Sequence, residues 1–377
     1  MNAESVKNTQ SIDGLQYLRG IAALMVVFFH ARSYFGDVPE WTRVGSRGVD
    51  IFFVISGFIM AYSTRRIGDD VTAVKASLQF LSKRFIRVVP LYWIALLWTS
   101  SPYWVSWLST SGSLKELYQN FNAELSSIAK DFVFIPHLSI DEDEPGEIFP
   151  VLIQGWTLNY ELFFYFIFGL SMLFRKYRLV STSLVIVALV VLGKIYHFND
   201  VVAQFYTSSI LIEFVFGIIV FEVYSKTLHQ TCRRALLMLF GTIGFLLLNS
   251  GSSTNDKLVL AVASAIIVWV FIRLFRGVHI GPLKLLGDAS YSIYLFHLAT
   301  FQITRGILAY LGLNPSGYLN IAFIILMHVL VSIVTGVAIF YAIEKPLLRI
   351  LRKMLGSIVS MWKRNNLGRA ENSPKSL

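Results

Sequence analysis

Runs of apolar residues recur along the chain, each about 17–25 residues long and separated by shorter polar and often basic segments. Stretches of this length read as membrane-crossing helices, because about 20 residues rising 1.5 Å each cover a hydrocarbon core. The pattern predicts ten spans, at about 14–35, 48–64, 88–108, 155–174, 179–197, 207–224, 234–250, 258–275, 289–311 and 319–343. Pro90 and Pro102 interrupt or bound the third, and Pro346 is expected to close the tenth. The expected fold class is therefore an all-α integral membrane protein of about ten transmembrane helices. Residues 1–350 read as one polytopic membrane domain, and residues 351–377 as a basic, partly disordered tail near anionic lipid. No repeat of about 20–50 residues is evident.

Charge orients the bundle. With the N-terminus in the cytoplasm, only eight of the 33 Lys and Arg fall on the outer side. Cytoplasmic segments are then more basic than their external neighbours. The exception is the first external loop, where Arg32, Arg43 and Arg47 match the three basic residues of several inner loops. An even number of spans makes both termini cytoplasmic. The long segment 109–150 becomes external, which suits its acidic run Asp141–Glu147. No small-residue cleavage site follows the first span, so it reads as retained rather than as a removable signal peptide.

Composition narrows the class. The chain is 55% hydrophobic and 15% charged, with a mean hydropathy of +0.60, which excludes a soluble globule. Its net charge of +10 sits between spans, so topology accounts for it and no nucleic-acid partner is expected. A single cysteine, Cys232, excludes an intramolecular disulfide and any cysteine-based metal site, and no metal is expected.

Polar residues inside the spans are the candidates for chemistry. Arg19 and His30 bracket an uncharged apolar segment of the first span. Eleven helical steps of about 100° each return to within about 20° of the start, so both side chains lie on one face. Two such groups on one stripe are costly unless they face a bundle interior or a wet cavity. An anchor with snorkelling ends explains Arg19 but not His30. Arg84 and Arg87 share a helix face on the same membrane side as Arg19. Three guanidiniums at one depth suit bidentate phosphate binding, against the plainer reading of arginines among headgroups.

Glu161 lies within the fourth span after Trp156, at a depth expected to match His30. A carboxylate there would fix the imidazole tautomer and sharpen its other nitrogen as a base. A buried neutral carboxyl is the competing reading. Asp50 opens the second span, as an N-terminal acid on the helix dipole or as a catalytic group. Ser290, Tyr294 and His297 stand at i, i+4 and i+7, either an interhelical hydrogen-bond seam or part of a site. Glu213 is a second intramembrane acid, Glu344 is expected to pair with a cytoplasmic cation, and His328 reads as structural.

Taken in order, Arg19-to-His30, Gly48-to-Gly57, Arg84-to-Arg87, Trp156-to-Glu161 and Ser290-to-His297 resemble the membrane acyltransferase 3 family over about residues 11–346. Because only a short tail follows the tenth span, the chain is most similar to the exopolysaccharide-production branch. Tyr17 stands where many members have a shorter Leu-Arg-Gly start. The resemblance implies a multi-pass protein of the bacterial inner membrane. It implies transfer of an acyl group, acetyl by expectation, from acyl-CoA to a hydroxyl of an exported or cell-surface polysaccharide or its lipid-linked precursor. Arg19, Arg84 and Arg87 would hold the donor's phosphates, His30 would match the essential histidine, and Glu161 would orient it. The oxyanion donor stays open among Trp, Tyr and Asn159, and an acyl-histidine relay stays open beside direct transfer. The residues alone also leave two other classes standing. One is a transporter or exporter with Arg19, His30, Glu161 and Glu213 as an ion path. The other is a non-enzymatic subunit of a polysaccharide synthase.

Overall fold

A computed structural model describes residues 12–32, 40–67, 71–101, 125–139, 146–227, 234–250, 257–312 and 318–357. The outer end of the third predicted span, most of the acidic run at 141–145, Cys232 and residues 358–377 lie outside the described residues. Among the described residues the structure is helical, with no strand. Among these residues six stretches are both long and apolar enough to cross a membrane: Asp13–Ala31, Arg43–Thr64, Gly155–Ile195, Val201–Lys226, Lys257–Leu274 and Ala322–Ser357.

Helix α1 (Asp13–Ala31) is the hub. It packs against α2 (Gly48–Thr64), α8 (Lys257–Leu274), α9 (Gly281–Asp288), α10 (Ser290–Phe296) and α12 (Tyr318–Ile339). Its small residues Gly20, Ala22 and Ala23 are buried and let neighbours approach closely. A close crossing joins α2 and α6 (Ile212–Lys226). A Cβ on Gly57 would stand 2.1 Å from the Phe214 carbonyl oxygen, and one on Gly217 would stand 2.1 Å from that of Val54. Only glycine permits that backbone approach. Helix α7 (Arg234–Ser250) packs on α8.

Four predicted spans look different in the structure. The third belongs to a longer helix, α3 (Ala73–Thr99), which starts under a Thr72 cap and continues through Pro90. The fourth and fifth, α4 (Gly155–Ser171) and α5 (Arg178–Ile195), are joined by a sharp reversal where Arg175 takes a positive φ of 47°. The ninth is broken into α9, α10 and α11 (Thr300–Tyr310). Irregular backbone at membrane depth is tolerated where protein buries it or where it lines a cavity. Here the break after Phe296 carries His297, which is wholly buried.

The expectation that Pro346 ends the last helix is not met. Proline has no N–H to give to the carbonyl four residues back. The chain absorbs this by winding Phe340–Glu344 as a π-turn, after which helix resumes and runs to Ser357. Such turns re-aim side chains and are frequent at functional sites. This one buries Glu344, which is 1% exposed.

Candidate active site

A chamber with a largely apolar wall and a few charged groups lies between α1, α2, α3, α4 and α10, with a volume of about 130 Å³. Its charged lining is Arg19, Arg84, Arg87 and Glu161. Buried charges are costly unless paired or hydrogen-bonded, and each of these makes at least one such contact, although Arg84 Nε is buried with no hydrogen-bond partner. Arg19 donates to Gln16 Oε1 at 3.2 Å, Arg84 donates to Ser63 Oγ at 3.3 Å, and Arg87 pairs with Glu344. Ser292 Oγ donates to the second Glu344 oxygen at 2.5 Å, so that carboxylate bridges α3 and α10. The cation expected to meet Glu344 is thus Arg87. Glu161 accepts from Ser56 Oγ at 3.2 Å and from the Tyr165 hydroxyl. Tyr291 also lines the chamber and donates to the Val88 carbonyl at 2.7 Å.

The chamber ends at Tyr294, on the same wall as Ser290. Tyr294 Oη and Thr157 Oγ1 share a hydrogen bond of 2.8 Å. One turn further along, His297 meets His30. Their rings are 4.8 Å apart, and His297 Nε2 lies 3.1 Å from His30 Nδ1.

The neighbouring carbonyls fix the tautomers. His297 Nδ1 faces the Tyr294 carbonyl at 2.6 Å, and His30 Nδ1 faces that of Val26 at 3.0 Å. A carbonyl oxygen only accepts, so both Nδ1 atoms carry hydrogen. In neutral rings, His297 Nε2 is then an acceptor for the shared His30 Nδ1–H. The basic lone pair of His30 is left on Nε2, the arrangement a general base needs.

The orienting partner expected for His30 is therefore misplaced in the sequence reading. Glu161 sits among the arginines, held by Ser56 and Tyr165, and His297 occupies the position assigned to it. The Arg19–His30 stripe of α1 does face the Ser290–Tyr294–His297 stripe of α10: Arg19, Ser290 and Tyr294 share the chamber, while the two histidines touch.

Asp50 and Trp156 lie off the chamber lining. Asp50 is buried and pairs with Lys257 Nζ at 3.3 Å, with the wholly buried Glu213 as a second carboxylate nearby. Trp156 packs edge-on against Phe53 and Tyr160. His328 stacks on Phe301 at 4.1 Å and reaches Thr304 at 3.2 Å. Among the described residues no group of three or more His, Cys, Asp and Glu is placed to hold a metal ion.

A separate cluster pins the segment after 125. Asp131 Oδ1 lies 2.9 Å from His137 Nε2, and its Oδ2 accepts the Val151 N–H at 2.7 Å. His137 Nδ1 faces the Leu138 carbonyl at 2.8 Å, so both ring nitrogens face acceptors. Burial pulls the His137 imidazole down, but the Asp131 hydrogen bond and the Leu138 carbonyl outweigh it and hold the ring above its ordinary range. Burial pushes the Asp131 carboxyl up, against the pull of His137 and Val151. Charge-based reading of the loop passed over both residues, although a His six residues from an Asp is a visible pairing signal.

Helices long and apolar enough to cross a membrane thus enclose a chamber lined by three arginines and Glu161, with the His30–His297 pair beyond it. Residues 12–344 match the acyltransferase domain of the acyltransferase 3 family, and the chain belongs to that family. It is a membrane O-acyltransferase. It is 34% identical over 329 residues to the exopolysaccharide production protein ExoZ of Rhizobium meliloti (strain 1021), covering 86% of this chain and 95% of that one. It is 26% identical over 309 residues to BcsY of Komagataeibacter xylinus, named as a membrane-bound transacylase, covering 76% of this chain and 72% of that one. A Staphylococcus aureus (strain COL) protein named as an O-acetyltransferase is 33% identical over 84 residues, 22% of this chain and 13% of that one. No solved structure gives a significant match.

Proposed function

We propose that the protein moves an acetyl group from acetyl-CoA, entering at the basic end of the bundle from the bacterial cytoplasm, to a hydroxyl of an exported polysaccharide or its lipid-linked precursor. The chamber carries this reading: three guanidiniums at one end and Tyr294 at the other, with the imidazole pair just beyond. Its likeness to the exopolysaccharide production protein supports a glycan acceptor.

The donor's phosphates engage Arg19, Arg84 and Arg87, and the narrow pantetheine arm follows the chamber towards Tyr294. Glu161 offsets the guanidinium charge when no donor is present. Turning the Tyr294 ring away from Thr157 joins the chamber to His30. His30 Nε2 then removes the proton of the acceptor hydroxyl as its oxygen attacks the thioester carbonyl. The tetrahedral oxyanion collapses, the C–S bond breaks, and the thiolate leaves with the proton from His30 Nε2. General-base help of this kind is worth about 10²–10⁴-fold. His297 is a positioning residue, because it acts by holding His30 Nδ1–H.

The test is mass analysis of the host's surface and exported glycans with and without the gene. Loss of increments of about 42 Da, the C2H2O gained when one hydroxyl is acetylated, is the expected result. An unchanged glycan mass would overturn the reading, and loss of a larger increment would correct the acyl group.

A further inference from the structure

The chamber opens at its basic end into a second cleft of about 570 Å³. Arg19 and Arg87 line both spaces, so the two meet at that pair of guanidiniums. The cleft's other cations are Lys345, Arg349 and Arg352. They stand at i, i+4 and i+7 on the helix that resumes after the π-turn, so they form one exposed stripe about 10 Å long. Like charges spaced this way repel within a helix. Only Asp288 adds an acid to the lining, and Glu344 is already committed to Arg87 and Ser292. Phe340 and Leu348 give the cleft an apolar side, and Lys345 Nζ is held 5.0 Å from the Tyr341 ring. All three stripe residues lie past the end of the family match at 344.

The geometry points to this cleft as a binding site for a nucleotide carrying both a phosphomonoester and a diphosphate, the polar end of acyl-CoA. This rests on the donor reading above and adds residues to it. Arg349 and Arg352 take the phosphomonoester through bidentate contacts, and Lys345 adds a point charge. The base lies against Phe340 and Leu348. The diphosphate sits at the junction, between Arg19 and Arg87, where the arm turns into the chamber. The π-turn is what aims the stripe at the junction, since a helix ended at Pro346 would not carry it.

An anionic lipid headgroup offers the same phosphate chemistry, so the test separates the two. The full chain is reconstituted in nanodiscs of zwitterionic lipid alone and, in parallel, with phosphatidylglycerol added. Binding of CoA and of 3′-dephospho-CoA is measured by calorimetry for the wild type and for the Arg349→Ala/Arg352→Ala double variant. Both residues are exposed, so the variant retains the fold. The wild type is expected to prefer CoA over 3′-dephospho-CoA by about tenfold or more in zwitterionic discs, and the variant to lose that preference while its affinity for 3′-dephospho-CoA holds. A variant that keeps the preference, or a wild type without one, overturns the site. An effect of the variant confined to phosphatidylglycerol discs assigns the stripe to lipid and also overturns it. A wild type that binds neither nucleotide refutes the donor reading itself.

Discussion

Replacing His297 separates a residue that positions the base from one that is the base. His297 touches His30 through a neutral hydrogen bond of 3.1 Å, and the Val26 carbonyl holds the same Nδ1–H at 3.0 Å. Removing His297 therefore leaves His30 in its tautomer with one partner lost. A bond of this kind is worth about 0.5–1.5 kcal/mol, which sets the loss in kcat for His297→Ala at about two- to thirteen-fold. His30→Ala removes the proton acceptor and falls by about 10²–10⁴. Because His297 acts only through His30, the double variant is expected to be no slower than His30→Ala alone. The KM for the acyl donor is expected to hold in every case, since Arg19, Arg84 and Arg87, proposed to hold the donor, lie at the other end of the chamber. His297→Gln, whose side-chain oxygen can accept from His30 Nδ1, is expected to recover part of the rate. The assay is initial-rate transfer by protein in proteoliposomes, with thermal melting as the check on folding. A His297→Ala loss as deep as that of His30→Ala, or additive losses in the double variant, would refute the reasoning.

Three further predictions follow from the packing and the charges. Gly217→Leu drives a side chain into the Val54 backbone, 2.1 Å from where its Cβ would stand, and is expected to cost about 1–3 kcal/mol or more, read as a lowered melting temperature in detergent; an unchanged melt would refute the close crossing. Glu344→Gln leaves the Arg87 guanidinium without its carboxylate, and with Arg87 side chain 24% exposed the expected loss is about 1–3 kcal/mol, again read by melting. His137 has a folded-state pKa above its ordinary 6.5, so the stability it adds is complete below that value and fades as pH rises through the folded pKa. Asp131 is raised as well and shifts stability in the same sense. Hydrogen exchange of segment 125–139 is thus expected to quicken from about pH 6 to about pH 8 beyond its intrinsic rate, and Asp131→Asn is expected to abolish the added dependence; equal slopes in both proteins would contradict it.

The sequence made the apolar spans legible because uncharged runs of that length have few other uses, and it made α1 legible because Arg19 and His30 are out of place in one. It also exposed the Ser290–Tyr294–His297 stripe, of which Ser290 and Tyr294 lie in α10 and His297 caps its end. Glu161 was assigned the wrong neighbour because matching depth fixes one coordinate of three, and the helix faces were unknown. The chamber aromatics Tyr165 and Tyr291 gave no signal, since tyrosines in apolar helices read as core. The stripe of Arg349 and Arg352 was hidden because Pro346 reads as a stop, and a π-turn that carries a helix through proline has no simple sequence mark. The breaks around α10 were equally hidden, for no proline or glycine stands at His297 to announce them.

In the proposed reaction a thioester-bound acyl group passes to a hydroxyl with His30 as the base. The most direct test is transfer of radiolabel from acetyl-CoA to polysaccharide or lipid-linked glycan by wild-type and His30→Ala protein in proteoliposomes. Labelled glycan is expected from the wild type, with a fall of about 10²–10⁴-fold in the variant and equal binding of CoA by both proteins. Label transferred by His30→Ala at the wild-type rate would contradict it.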